Sequence, residues 1–141
     1  MADLKIAIVA SRFNPEITER LVAGAQAALR NEAEVTIIPV PGAFEIPLAA
    51  KKAALSKRFD AIVAIGCVIR GETAHFEYIS QAASAGIAQV SLETGVPVTF
   101  GILTADTDEQ ALARSGRDPD NKGYHAAQAA VEMVRVLRGL G

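Results

Sequence analysis

Residues Asp60 to Ile69 read DAIVAIGCVI, and no charged residue follows the leading aspartate. A strand with one face in water alternates apolar and polar residues. This run offers no polar face, so it predicts a central strand of a parallel sheet with helices over both sides. The rest of the chain must supply those helices and the neighbouring strands.

It does so in alternation. Leu4 to Ala10 (LKIAIVA) predicts a first buried strand, followed by the turn Ser11-Arg12-Phe13-Asn14. Asn14 is placed to cap a helix with Pro15 at its first position, where a missing N–H costs nothing. Glu16 and Arg20 form a favourable i,i+4 pair, and Leu21, Ala25, Ala28 and Leu29 give that helix its apolar stripe. Val35 to Val40 predicts a second strand ending in Pro41-Gly42, then a helix over Phe44 to Lys57 with Pro47 in its first turn. After the third strand, Arg70 to Thr73 turns into a helix from about Ala74, with Phe76, Ile79, Ala83, Ile87 and Val90 spaced along one side. Ile87 to Leu92 also fits a short strand, but the 3.6-residue spacing favours helix. Gly95-Val96-Pro97 ends it, and Val98 to Thr104 predicts the fourth strand. Thr107 to Gln110 matches a capping box for a short helix to about Ser115. A polar loop, Gly116 to Asn121, leads to a last helix over Lys122 to Leu137.

Strands alternating with helices imply right-handed crossovers. The fold class is therefore α/β: a single-domain, flavodoxin-like three-layer sandwich with a four-stranded parallel sheet, spanning residues 1–141. The composition agrees. Half the residues are apolar (50%), which excludes intrinsic disorder. Aromatics make up only 5%, so the apolar mass is small and aliphatic. Net charge is −2 with no basic block, which points away from nucleic acid. No apolar run approaches the ~18 residues of a membrane span. The amino terminus enters a strand directly and lacks the marks of a signal peptide. The single Cys67 has no disulfide partner and no metal-ligand spacing around it, so a cytoplasmic protein without a bound metal is expected.

In such sheets ligands bind beyond the carboxyl ends of the strands. After the first strand, Phe13 reads either as a lid over the core or as a ring-stacking platform. After the second, Glu45 reads as a helix-start carboxylate or as an acceptor for substrate hydroxyls. After the third, Gly71 and Thr73 lie at a helix N-terminus, where free N–H groups favour an anion. His75, in the first turn, is a surface residue or a proton-transfer group. Arg114 and Lys122 follow the fourth strand, and Phe100 lies within it. No GxxxxGK[ST], no GxGxxG and no Ser-His-Asp pattern occurs. The residues alone indicate a small, partly aromatic, phosphorylated ligand.

The blocks SRFN (11–14), PGAFEIP (41–47), GCVIRGETAHFEYI (66–79), GVPVTFGILT (95–104), EQALARSG (109–116) and NKG (121–123) resemble the lumazine synthase family across almost the whole chain. The resemblance implies condensation of 5-amino-6-ribitylaminopyrimidinedione with 3,4-dihydroxy-2-butanone 4-phosphate, without cofactor or metal. It implies that Phe13 stacks on the pyrimidine, and that Ala43, Phe44 and Glu45 hold the ring edge and ribityl hydroxyls. Val68 and Ile69 would meet the heterocycle through backbone groups. Gly71, Glu72 and Thr73 would form the phosphate loop, and His75 would transfer protons. Phe100 and Arg114 would come from a neighbouring subunit, with Lys122 near the same site. The implied partners are further copies of the chain, as pentamers, pentamer pairs or sixty-subunit shells, together with the small-molecule substrates and a riboflavin synthase.

Two features depart from the family pattern. The connection Arg30 to Glu34 is a few residues short, and almost no extension precedes the first strand, where the family often adds a strand to an adjacent subunit. The uninterrupted run from Arg114 to Lys122 resembles the shell-forming members. The rival functions are the related archaeal-type riboflavin synthase and an inactive flavin-binding or shell-forming scaffold. The set Phe13, Glu45, His75 and Arg114 argues against the scaffold. The excess of small aliphatic residues points to contacts between copies.

Overall fold

The computed structural model describes residues 4–117 and 120–141. Met1 to Asp3 and Asp118-Pro119 lie outside the described residues, and with them the amino-terminal segment and part of the expected 116–121 loop. Four strands, β1 (Leu4–Ser11), β2 (Ala33–Val40), β3 (Ala61–Ile69) and β4 (Val98–Ala105), form one sheet. Every pairing is parallel and the order is β2-β1-β3-β4. The helices are α1 (Pro15–Leu29), α2 (Ile46–Leu55), α3 (His75–Thr94), α4 (Asp108–Ala113) and α5 (Lys122–Leu140).

β3 is central, and its residues divide between two cores. Ala61, Val63, Ile65 and Cys67 pack with Ile6, Ile8, Leu21 and the α5 residues Ala127 and Val131. Ile62 and Ala64 pack on the other face with Val9, Ile46, Ala83, Ile87 and Ile102. That division is why DAIVAIGCVI needs no polar face. β2 and β4 are the edges, and Pro39 lies in edge strand β2, where its missing N–H breaks no interior ladder.

Several local expectations change. Asn14 does not cap α1 with its side chain. Its backbone is left-handed (φ 56), and its Nδ2 donates to Cys67 O at 2.8 Å. The amide satisfies a β3 carbonyl and ties the first loop to the central strand. Glu16 does not hold Arg20, whose Nε donates across to Ser115 O at 3.2 Å. The second helix begins as a 3₁₀ turn, Ala43–Glu45, before α2 proper, with Pro47 near the start where no N–H is needed. Thr107 caps α4 as expected, accepting from Gln110 N, but Gln110 Oε1 reaches Asp106 N at 2.8 Å, one residue short of a closed capping box. Ile87 to Leu92 lies within α3, which ends at Gly95 (φ 73). The short α1–β2 connection is closed by Asn31 in the left-handed region (φ 68) and by Glu32 N donating to Leu29 O.

Candidate active site

The carboxyl ends of β1 and β3 and the segment after β2 open onto a cleft of about 470 Å³. Phe13 and Phe44 stand at it with much of their surface in solvent, at 68% and 59% exposure. Large rings are seldom left this open without a partner, so they are free faces for a planar ligand. Phe13 is set by its own turn: Phe13 N donates to Ser11 Oγ at 3.1 Å, and Arg12 N donates to Val40 O at 2.8 Å.

Glu45 closes the 3₁₀ turn, its N–H donating to Gly42 O. Its Oε1 lies 3.2 Å from where a Cβ on Gly42 would sit, so any side chain at 42 would press on the carboxylate. Ala43 is buried and lines the cleft. Val68 and Ile69 line the floor at the end of β3.

Gly71, Thr73 and His75 line the side leading into α3. A Cβ built on Gly71 meets nothing within 4 Å. The fold does not demand glycine there, and the open space is room for a ligand to approach the backbone. Thr73 Oγ1 accepts from His75 N at 3.3 Å, which holds the hydroxyl at the head of the helix. The N-cap residue Ala74 supplies no side-chain cap, and with the His75 N–H on Thr73 and the Glu77 N–H on Ala74 O, the Phe76 N–H is the first-turn donor left to offer an anion. The imidazole of His75 is exposed on this turn. Glu72 is exposed as well but does not line the cleft.

Arg70 fastens the segment and was not among the expected site residues. Its Nε donates to Asp106 Oδ1 at 2.7 Å, its other arm pairs with Glu77, and its guanidinium lies over the Phe76 ring at 4.5 Å. Asp106 first and Glu77 next hold the guanidinium pKa above its ordinary value. With both carboxylates engaged, Arg70 is a strut and not a free cation for the cleft. Cys67 also lines the cleft wall. Burial, with the nearby Asp108 charge, pushes its thiol up to about 11, which withholds a competing nucleophile.

Phe100, Arg114 and Lys122 are brought together elsewhere. None of them lines the cleft. Lys122 Nζ lies over the Phe100 ring at 5.4 Å, and Lys122 N donates to Arg114 O at 2.9 Å. This second constellation sits at free edge strand β4 and the start of α5. Asn14, Gly42, Cys67, Phe76 and Ile79 also line the cleft and are not among the expected site residues, while Arg70 braces the segment from outside it. Their signal in the sequence is membership of the quoted blocks: Asn14 of SRFN, Gly42 of PGAFEIP, and Cys67, Arg70, Phe76 and Ile79 of GCVIRGETAHFEYI.

Among the described residues no cluster of three or more His, Cys, Asp or Glu is placed to hold a metal, and no helix is long and apolar enough to cross a membrane. The family model described as 6,7-dimethyl-8-ribityllumazine synthase matches residues 3–138. A 6,7-dimethyl-8-ribityllumazine synthase of Syntrophus aciditrophicus (strain SB) is 54% identical over 139 residues, covering 96% of this chain and 90% of that protein. With the sheet order, the cleft and these matches in agreement, the chain belongs to the 6,7-dimethyl-8-ribityllumazine synthase family.

Proposed function

We propose that the chain condenses 5-amino-6-ribitylaminopyrimidinedione with 3,4-dihydroxy-2-butanone 4-phosphate to 6,7-dimethyl-8-ribityllumazine, releasing phosphate and water. The observation that carries this is the single cleft joining two open aromatic faces, a carboxylate and a helix start with an N–H left to offer, beside a histidine.

Phe13 and Phe44 hold the pyrimidine, and Glu45 accepts hydrogen bonds from ribityl hydroxyls. The backbone at Val68 and Ile69 meets the heterocycle edge. The 5-amino group attacks the ketone and loses water to form an imine. His75 carries protons in that step and in the elimination that expels phosphate. The second amine then closes the ring with loss of water. Gly71 and Thr73 bind the phosphate through N–H groups and the hydroxyl. Glu72 faces solvent beside this loop, so its part is limited to its backbone. Orienting both reactants supplies much of the rate, because the acid–base machinery is small.

A leaving phosphate also needs a fixed cation. Arg114 and Lys122 are the cations the family pattern supplies, and they stand with Phe100 away from the cleft of their own chain. We read them as completing the cleft of a neighbouring copy. Leu48 and Leu55 on α2 and Tyr78 and Leu92 on α3 are exposed, which supports packing between copies. Contact between two unlike surfaces is head-to-tail and closes into rings, which fits pentamers or multiples of them, up to a shell. A cytoplasmic protein of one 1–141 domain, handing its product to a riboflavin synthase, completes the proposal.

The test is to incubate the purified chain with both substrates and follow lumazine absorbance, with the assembly weighed by mass measurement. Product at a rate linear in enzyme is expected. Dismutation of added lumazine without condensation would favour the riboflavin synthase alternative, and tight flavin binding with neither reaction would favour a scaffold.

A further inference from the structure

Asn121 is 3% exposed, and every hydrogen-bonding atom of its amide is in use. Oδ1 accepts from Tyr124 N at 3.0 Å, which caps α5. Nδ2 donates to Gly116 O at 2.7 Å and to Arg20 O, on α1, at 3.1 Å. A cap needs only the acceptor, and Asp serves as well as Asn in that role. The two donated bonds demand more: an amide, buried, with acceptors on two other segments.

The surrounding backbone is cut to fit it. A Cβ on Gly24 of α1 would sit 2.2 Å from Asn121 Oδ1, and one on Gly123 of α5 would sit 2.1 Å from Leu21 O. A glycine on each helix thus lets α1 and α5 close around the amide. Residues 114–117 and 120–122 are drawn in by the same contacts. Ser115 and Asn121 form a bridge, Gly116 N donates to Asp120 O, Arg20 Nε donates to Ser115 O, and Lys122 N donates to Arg114 O. The two residues held at the mouth of this latch are Arg114 and Lys122.

We propose that Asn121 is the positioning residue for the phosphate-binding cations: through its two donated bonds it fastens residues 114–116 and the start of α5 to α1, so that Arg114 and Lys122 are presented as a fixed pair. This rests on the phosphate role proposed above for those two side chains. Asn121 itself touches no substrate.

The test uses the full chain in its native assembly and the variant Asn121→Asp, which keeps the cap acceptor and loses both donors. KM for the phosphorylated ketone should rise about tenfold or more, as expected when a binding group is misplaced. The inhibition constant of inorganic phosphate should rise in parallel, and KM for the aminopyrimidine should change less than about twofold. Arg20→Met, which removes only the Arg20 side-chain bond to Ser115 O, should move the same two constants in the same direction by less. It also serves as the reporter if Asn121→Asp does not assemble. Kinetics of Asn121→Asp equal to wild type would show that the amide is only a cap and overturn the proposal. A lowered Tm with both KM values unchanged, or equal changes in both, would mean a general structural role and overturn it too. So would unchanged constants in Arg20→Met where Asn121→Asp does not assemble. A wild-type chain that makes no lumazine would instead refute the proposed function, and the inference with it.

Discussion

Cys67 stands in the cleft wall as a thiol, and its surroundings keep it one. Burial first, and the Asp108 charge second, raise its pKa from the ordinary value near 9 to about 11. The folded chain therefore holds this proton more tightly than the unfolded chain. The resulting stability is complete below about pH 9 and is lost as pH rises through about 11. Urea unfolding of the wild type should weaken across that window, and Cys67→Ala should weaken less steeply. Parallel slopes for the two proteins would refute the assignment. His75 carries a kinetic expectation. An exposed imidazole at a helix start, acting as one proton carrier in a site built on orientation, contributes about 10²–10⁴-fold. His75→Ala should lower kcat within that range and leave KM for the phosphorylated ketone nearly unchanged, and a larger loss would assign His75 a role beyond proton transfer. The sequence marks His75 by its place after the third strand. It marks Cys67 as unpaired and within a strand covered on both sides, but not as part of the cleft wall, because that depends on how the loops after β1 and β3 fold.

Apolar periodicity predicts each element type and leaves the joints open. DAIVAIGCVI specifies a two-sided strand because every residue on both faces needs an apolar neighbour, and the Phe76 to Val90 spacing specifies α3 over the rival short strand. Asn14 is different. Its side chain has a local use as a cap and a distant one at Cys67 O, and the distant carbonyl wins because β3 pairs with β1 only as far as Ile65, so Cys67 lies past the end of that ladder. Arg70 likewise has no local signature. It joins the end of β3 to Asp106 after β4 and to Glu77 in the first turn of α3, with Phe76 beneath it. All these groups are about half exposed, so the network's value lies in placement more than in stability. Arg70→Met should therefore leave Tm little changed. It should speed amide exchange over residues 75–78 and lower kcat/KM by up to about 10²-fold, the cost of an ångström-scale misplacement. Unaltered exchange in that turn would show that Arg70 does not hold it.

At the scale of the molecule, the cleft and the Phe100–Arg114–Lys122 edge stand apart on one sheet, and under the proposed function each is half of a site for a phosphorylated substrate. Chain order cannot reveal this. Arg114 and Lys122 follow a strand of the same sheet as Gly71 and Thr73, and in a single copy they would be expected at the same mouth. β4 is the outermost strand, however, and Lys122 folds onto Phe100 at its free edge. The separation makes a strong prediction about mixtures. Let one chain carry Phe13→Ala and His75→Ala, which damage the cleft, and another carry Arg114→Ala, which damages the edge. Each assembly alone should be nearly inactive. In co-assembled rings, every site takes its cleft from one chain and its edge from the next, so about a quarter of the sites receive two intact halves. Activity should recover to about that share of wild type, and it should disappear when the two variants are assembled separately and then mixed. A site built within one chain gives no recovery in either case, because no chain in the mixture carries both halves intact.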